Sequence, residues 1–185
     1  MTKTQFYTGK GDRGDTARLQ GKARLSKADA LIDTIGTVDE ATSAIGVARA
    51  QTQSPPLQEA LLEVQRRLYR LMSHLSADAA ARTDYPGLTN EDVAWLEDKI
   101  AQLEENLPAL KEFVLPGDSP TGAACHMART VVRRAERRLV ALSEHEPNIG
   151  TANLAFMNRL SSFLFVAALD EDHRSGHQIT LARSH

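Results

Sequence analysis

Apolar positions recur at spacings of three and four along most of this chain, and the runs are separated by proline, glycine and short polar breaks. From Ser26 onward, Leu31, Ile35, Val38, Thr42 and Ile45 mark one helical face, with Ser26 as the expected cap and Lys27 in the first turn. Gly36 and Gly46 each cost a helix about 1 kcal/mol against alanine, so close packing against a neighbour is expected at both. Ser54-Pro55-Pro56 closes that run and opens another. In it, Leu57, Leu61, Val64, Leu68, Leu71 and Leu75 form the seam of an antiparallel bundle or coiled coil. Tyr85-Pro86-Gly87 is a further break, after which Thr89 and Asp92 read as a capping box for a helix with Val93, Leu96, Ile100, Leu103 and Leu107 inside. Ser119 and Pro120 cap and start the next helix. The last, from about Ile149 to Leu169, is apolar all round in its second half and is expected to be the buried central helix.

The pattern predicts a single all-α domain. Residues 1–26 form an irregular glycine-rich N-terminal loop, 27–170 the helical bundle, and 171–185 a polar, flexible C-terminal tail. At 185 residues the chain can bury a sizeable core. Its formal net charge of −2 speaks against a nucleic-acid-coating surface. Cys125 is the only cysteine, which excludes an internal disulfide and fits a reducing compartment. Met1 to Phe6 lacks the apolar run of a signal peptide, and no stretch approaches a membrane span, so a cytoplasmic protein with no membrane partner is expected. The six histidines lack metal-site pairings, so no protein-bound transition metal is expected, and no nucleophile motif is present.

Candidate chemistry sits in five places. Arg129, Arg133 and Arg137 stack at i, i+4 and i+8 with Glu136 beside them, while Ala128, Val131, Val132, Ala135, Leu139 and Leu142 take the opposite face. Three guanidinium forks suit a polyphosphate or a partner's carboxylates; the alternative is a solvated face with helix salt bridges. Thr8-Gly9-Lys10-Gly11-Asp12-Arg13-Gly14-Asp15-Thr16 shows no helical or strand period, and its glycines permit an anion-cradling nest. It is not a Walker A loop, because Asp15 stands where the lysine should follow Gly14. Taken alone, a flexible surface loop serves equally. Asp39-Glu40 either faces an arginine or is solvated. Phe113-Val114-Leu115 is an apolar triplet in a linker, tucked into the core or offered to a ligand. Asn158-Arg159 interrupts the apolar last helix and needs partners, structural or ligand-facing.

Three separated stretches together resemble the PduO-type ATP:cob(I)alamin adenosyltransferases. They are the Thr8–Thr16 run with Lys27; Ile35-Gly36-Thr37-Val38-Asp39-Glu40 continuing to Ile45-Gly46; and Phe113-Val114-Leu115-Pro116-Gly117 leading through Arg129–Arg138 to Asn158-Arg159-Leu160-Ser161. The resemblance implies a ferritin-like antiparallel five-helix bundle assembled as a homotrimer, with ATP and corrinoid in clefts between subunits; composition and periodicity equally allow a monomer. It implies transfer of the 5′-deoxyadenosyl group of ATP to reduced cobalt of cobalamin or of cobyrinic acid a,c-diamide, with release of triphosphate. By the same resemblance Thr8, Gly9, Lys10, Gly11, Thr16, Lys27, Arg133, Glu136, Arg137 and Asn158 bind MgATP. Asp39 and Arg129 pair across the subunit interface and organise the site, with Arg133 acting on the triphosphate, and Phe113 lines the corrinoid pocket. A flavin reductase and a B12-dependent enzyme are the implied protein partners. The runner-up reading is a non-catalytic ATP-binding or sensing bundle that partners a B12-dependent enzyme. One departure stands out: the final-helix motif often continues with aspartate, and here the residue is Ser162.

Overall fold

The computed structural model describes residues 7–21, 23–78, 80–105, 107, 108, 110 and 112–183. The N-terminal hexapeptide and the last two residues of the tail, both part of the sequence expectations, lie outside them. The order is β1 (Asp15–Ala17), β2 (Arg24–Ser26), α1 (Ala30–Gln51), α2 (Pro55–Ser76), α3 (Asn90–Glu104), α4 (Pro120–Ser143), a 3-10 turn over Pro147–Ile149, and α5 (Thr151–Arg174). These five long helices form the bundle. Helix α1 packs on α2 and α4, and α5 packs on α4 and α3.

The helix starts follow local chemistry. Thr89 accepts from the Asp92 backbone while Asp92 answers the Thr89 backbone, the expected capping box. Ser119 accepts from the Gly122 amide and Pro120 opens α4. Ser26 does not cap α1: its hydroxyl accepts from Ala28 in a turn at 3.1 Å, and Asp29 caps the helix by accepting from Leu31 at 2.9 Å. Lys27 therefore precedes α1 instead of lying in its first turn. The reason is the antiparallel hairpin, Asp15 opposite Ser26 and Thr16 opposite Leu25, which carries extended chain up to Ser26. That hairpin also corrects the reading of residues 1–26 as wholly without strand.

The α2 seam is buried in full, at Leu57, Leu61, Val64, Leu68, Leu71 and Leu75. In α3 only Leu96 of the expected seam is fully buried, and Leu107 lies beyond the helix end. Helix α3 is joined to α2 by charge instead: Arg67 donates to Asp92 at 3.1 Å and lies 3.8 Å over the Trp95 ring, and Arg70 also pairs with Asp92. Gly46 meets Gln65 of α2, as its packing role requires, but a side chain at Gly36 would meet nothing within 4 Å of this chain.

Helix α5 is central, with Phe156, Met157, Leu160, Phe163 and Leu164 wholly buried. It is long and apolar enough to cross a membrane by length and composition, which corrects the reading that no stretch approaches a span. Most of its apolar surface is buried in the bundle, and its last turn carries the buried Asp170, Glu171 and Asp172. It runs to Arg174, past the expected end at Leu169. Residues beyond it lie against the segment before α4: Leu115 donates to Thr180 at 2.8 Å, Ala182 to the Phe113 carbonyl at 2.7 Å, and Thr180 bonds both carboxylate oxygens of Asp118.

Candidate functional site

The arginine ladder forms as its spacing predicts. Val132, Ala135 and Leu139 bury one face of α4, and Arg129, Arg133, Glu136 and Arg137 take the other. Arg129 and Arg133 border a groove of about 560 Å³ between α4, α5 and the segment after α3, with Ser161, Ser162 and Phe165 on its α5 wall. Ser162, the point of departure from the expected motif, therefore faces the same groove. Burial, and then the neighbouring Arg133, hold the Arg129 pKa below the usual arginine range. Its Nε is buried with no hydrogen-bond partner among the described residues, so its desolvation is uncompensated there.

Arg129 also borders an adjoining cavity of about 730 Å³ with Phe113, Val114, His126, Phe165 and Arg183. Phe113 is 87% exposed, an apolar ring left open among the described residues. Its position is set by the backbone pairing of residues 113–115 with 180–182.

Further along α4, Asn158 of α5 donates to Glu136 at 2.9 Å and accepts from Arg159, which pairs with Glu97 of α3. Arg137 donates to the Arg133 carbonyl at 3.3 Å. The two arginines outside the ladder face α1, where Arg134 pairs with Glu40 and Arg138 with Asp33 at 3.1 Å. Glu40 thus faces an arginine, one of the two alternatives its sequence left open, whereas the Asp33–Arg138 pair was missed in the sequence. Asp39 makes no hydrogen bond or ion pair among the described residues, so the expected Asp39–Arg129 pair does not exist within one chain.

The glycine loop is folded upon itself. Gly9 and Gly14 adopt φ of +67° and +79°, which side chains rarely allow, and turns run from Asp12 to the Gly9 carbonyl and from Gly14 to the Gly11 carbonyl. Lys27 Nζ donates to the Gly11 carbonyl at 2.9 Å, and Thr8 accepts from the Lys10 amide at 3.4 Å. Arg24, another residue missed in the sequence, grips both oxygens of Asp15 at 2.8 Å and donates to the Lys10 carbonyl at 2.7 Å. This grip holds the Asp15 carboxyl below the usual range. Thr16 lies in β1. Lys27 borders a cavity with Asp33 and Arg138, near the C-terminal end of α4. Among the described residues, no contact brings the loop to Arg133, Arg137 or Asn158 of the same chain.

The sequence profile of the cobalamin adenosyltransferase family matches residues 6–171. The chain belongs to this family. It is 40% identical over 176 residues to a corrinoid adenosyltransferase of Bacillus subtilis, covering 93% of this chain and 89% of that one. A cobalamin adenosyltransferase of Cupriavidus metallidurans is 40% identical over 166 residues, covering 89% and 86%. Among solved structures, a phenylalanine-to-alanine variant of a PduO-type ATP:corrinoid adenosyltransferase from Lactobacillus reuteri, complexed with cobalamin and ATP, superimposes with a TM-score of 0.89 at 32% identity, over 97% of this chain and 100% of that one. An arginine-to-lysine variant from the same organism, complexed with ATP, gives 0.87 at 33% identity, over 96% and 100%. The family assignment carries the five-helix fold and ATP:corrinoid adenosyltransferase activity with it.

Proposed function

We propose that the groove bordered by Arg129 and Arg133, with the Phe113 cavity that adjoins it, is where this chain transfers adenosine from ATP to a reduced corrinoid. The observation that carries the reading is the shared wall: Arg129, Phe165 and Leu110 border both spaces, so the groove with Arg133 and the cavity with Phe113 meet at a guanidinium set beside apolar side chains. The chemistry asks for that arrangement. Co(I) donates an electron pair to the ribose C5′, the cobalt–carbon bond forms, and the C5′–oxygen bond breaks with its pair leaving on triphosphate. No protein base is needed. Arg129 and Arg133 stabilise the charge that develops on the leaving oxygen, and the apolar walls exclude water.

Mg²⁺ fits the donor set. It is held by one or two carboxylates together with substrate phosphates and seldom by a protein cage, and Glu136 offers one hard carboxylate oxygen beside the ladder, oriented by Asn158. When bound, the ion neutralises phosphate charge; Glu136 and Asn158 would hold it.

The site is completed by a neighbouring copy in a homotrimer. Three features support this: among the described residues no hydrogen bond or ion pair joins the glycine loop or Lys27 to the ladder, Asp39 makes none at all, and a side chain at Gly36 would meet nothing within 4 Å. In the assembly Thr8, Gly9, Lys10, Gly11, Thr16 and Lys27 of one copy meet Arg133, Glu136, Arg137 and Asn158 of the next around ATP, and Asp39 pairs with Arg129. The lone thiol, Cys125, is buried, which suits a cytoplasmic setting, where a flavin reductase would supply reduced corrinoid and a B12-dependent enzyme would take the product.

The test is an anaerobic assay with MgATP and chemically reduced cob(I)alamin, following adenosylcobalamin and triphosphate. Both form with the native chain and neither with Arg133→Ala. Tight ATP binding without product would reject transfer in favour of sensing. Mixing Arg133→Ala with Lys27→Ala chains restores activity if sites are shared; no recovery in mixed trimers would reject a site built from two copies.

A further inference from the structure

We infer that His126 is a specificity-determining residue for the corrinoid, meeting a peripheral amide of the corrin ring with an imidazole that makes no hydrogen bond among the described residues. The inference rests on the reading of the Phe113 cavity as the corrinoid compartment. His126 lies on α4 just under one turn before Arg129 and borders that cavity with Phe113, Phe165 and Arg183. It is only 3% exposed, yet it makes no hydrogen bond among the described residues, and its Nδ1 is fully buried and unpaired. A buried ring nitrogen left unmatched costs about 1–3 kcal/mol.

The fold does not leave its other buried histidine in that state. His74 Nδ1 lies 2.9 Å from the Tyr85 carbonyl, so the scaffold pairs a histidine whose task is structural. His126 is instead held by packing, its ring set edge to face against Phe165 with centroids 5.9 Å apart and planes at 69°. Orientation without a hydrogen bond is what a ligand-facing group needs.

The surrounding charges set its form. Burial, and then Arg129 on the same helix, lower its pKa, against the opposite pull of Asp172 on α5 and Asp118 before α4; Glu112 and Arg183 stand at the cavity rim. A neutral imidazole carries one donor and one acceptor, and a primary amide, the group that decorates the corrin periphery, has a carbonyl acceptor and N–H donors to match either.

The experiment uses the full chain in the anaerobic assay with cob(I)alamin. His126→Phe keeps a ring of similar size and removes both nitrogens; the corrinoid KM is expected to rise about tenfold, the worth of one neutral hydrogen bond to a buried group, while the ATP KM and kcat stay within about twofold. His126→Asn and His126→Gln place an amide where Nδ1 and Nε2 stand, and one of them is expected to bring the corrinoid KM back to within about threefold of native. An unchanged corrinoid KM in His126→Phe, or a parallel rise for ATP, overturns the inference. If His126→Phe loses its helical circular dichroism, the two amide variants decide: a difference between them in corrinoid KM alone supports the role, and identical values reject it. Phe113→Ala separates the two levels. A corrinoid effect there with a silent His126→Phe rejects only the histidine, whereas silence in both rejects the cavity.

Discussion

Asn158 on α5 and Glu136 on α4 are joined by a 2.9 Å hydrogen bond on the exposed side of the ladder. Asn158 in turn accepts from Arg159, and Arg159 from its place on α5 grips Glu97 of α3. Three helices thus fix the direction of one carboxylate. Exposed polar contacts of this kind add little to stability, within about 0.5 kcal/mol. Asn158→Ala is therefore expected to leave the thermal midpoint nearly unchanged while raising the ATP KM about tenfold, the worth of one charge-assisted contact. Isothermal titration with MgATP reads the loss directly, and native affinity in this variant would remove Asn158 from the nucleotide site.

Gly122 and Asp172 make a different kind of pair. A Cβ placed on Gly122 would stand 2.1 Å from Asp172 Oδ1, inside the first turn of α4. The carboxylate occupies the space that the missing side chain leaves, against the positive end of the helix. Gly122→Ala is expected to cost about 1–3 kcal/mol through overpacking. Adding Asp172→Ala should return part of that loss, a non-additivity that urea titration of the two single variants and the double variant measures. Strict additivity would mean that the clash is relieved elsewhere.

Glu171 supplies a pH dependence of known sign. It is 6% exposed and accepts from Thr52 at 2.9 Å, and burial raises its pKa above the ordinary glutamate value despite that bond. The folded state then holds the proton more tightly than the unfolded chain, so its contribution is complete below the unfolded pKa and is lost as pH rises through the folded one. Asp15 and Asp118, whose values are lowered, act in the opposite direction and lose their contribution as pH falls. Glu171→Gln, which keeps an acceptor for Thr52 without a charge, is expected to gain stability over the native chain as pH rises from 5 to 8. An unchanged difference in urea midpoint between variant and native chain at the two values would show that the fold does not raise the Glu171 pKa.

Much of this arrangement was legible in the residues because it depends on neighbours close in sequence. The Thr89–Asp92 box, the Ser119–Pro120 start, the α2 seam and the ladder need only helical spacing, and the structure forms each of them. What escaped depends on elements brought together from afar. The Asp15–Arg24 hairpin has strands of three residues, too short for an alternating pattern to register. Asp33 looks like any other exposed acid until the crossing of α1 and α4 presents Arg138 to it, and the same crossing brings Arg134 to Glu40, for which an arginine was one of two open readings. Gly36 was expected to mark a close neighbour, and none is present within the single chain. The reach of α5 through Asp170–Asp172 was hidden because three consecutive acids resemble solvated tail, whereas Arg174 and Thr52 partner two of them in the fold.

The pairing of residues 113–115 with 180–182 is made by main-chain amides and carbonyls, with Thr180 on Asp118 as its one side-chain anchor. Such a clasp is indifferent to most substitutions on either strand and intolerant of lost length. Replacements among residues 180–182 therefore leave the clasp standing, whereas a deletion of a few residues there disturbs the placement of Phe113 more than any single replacement among them.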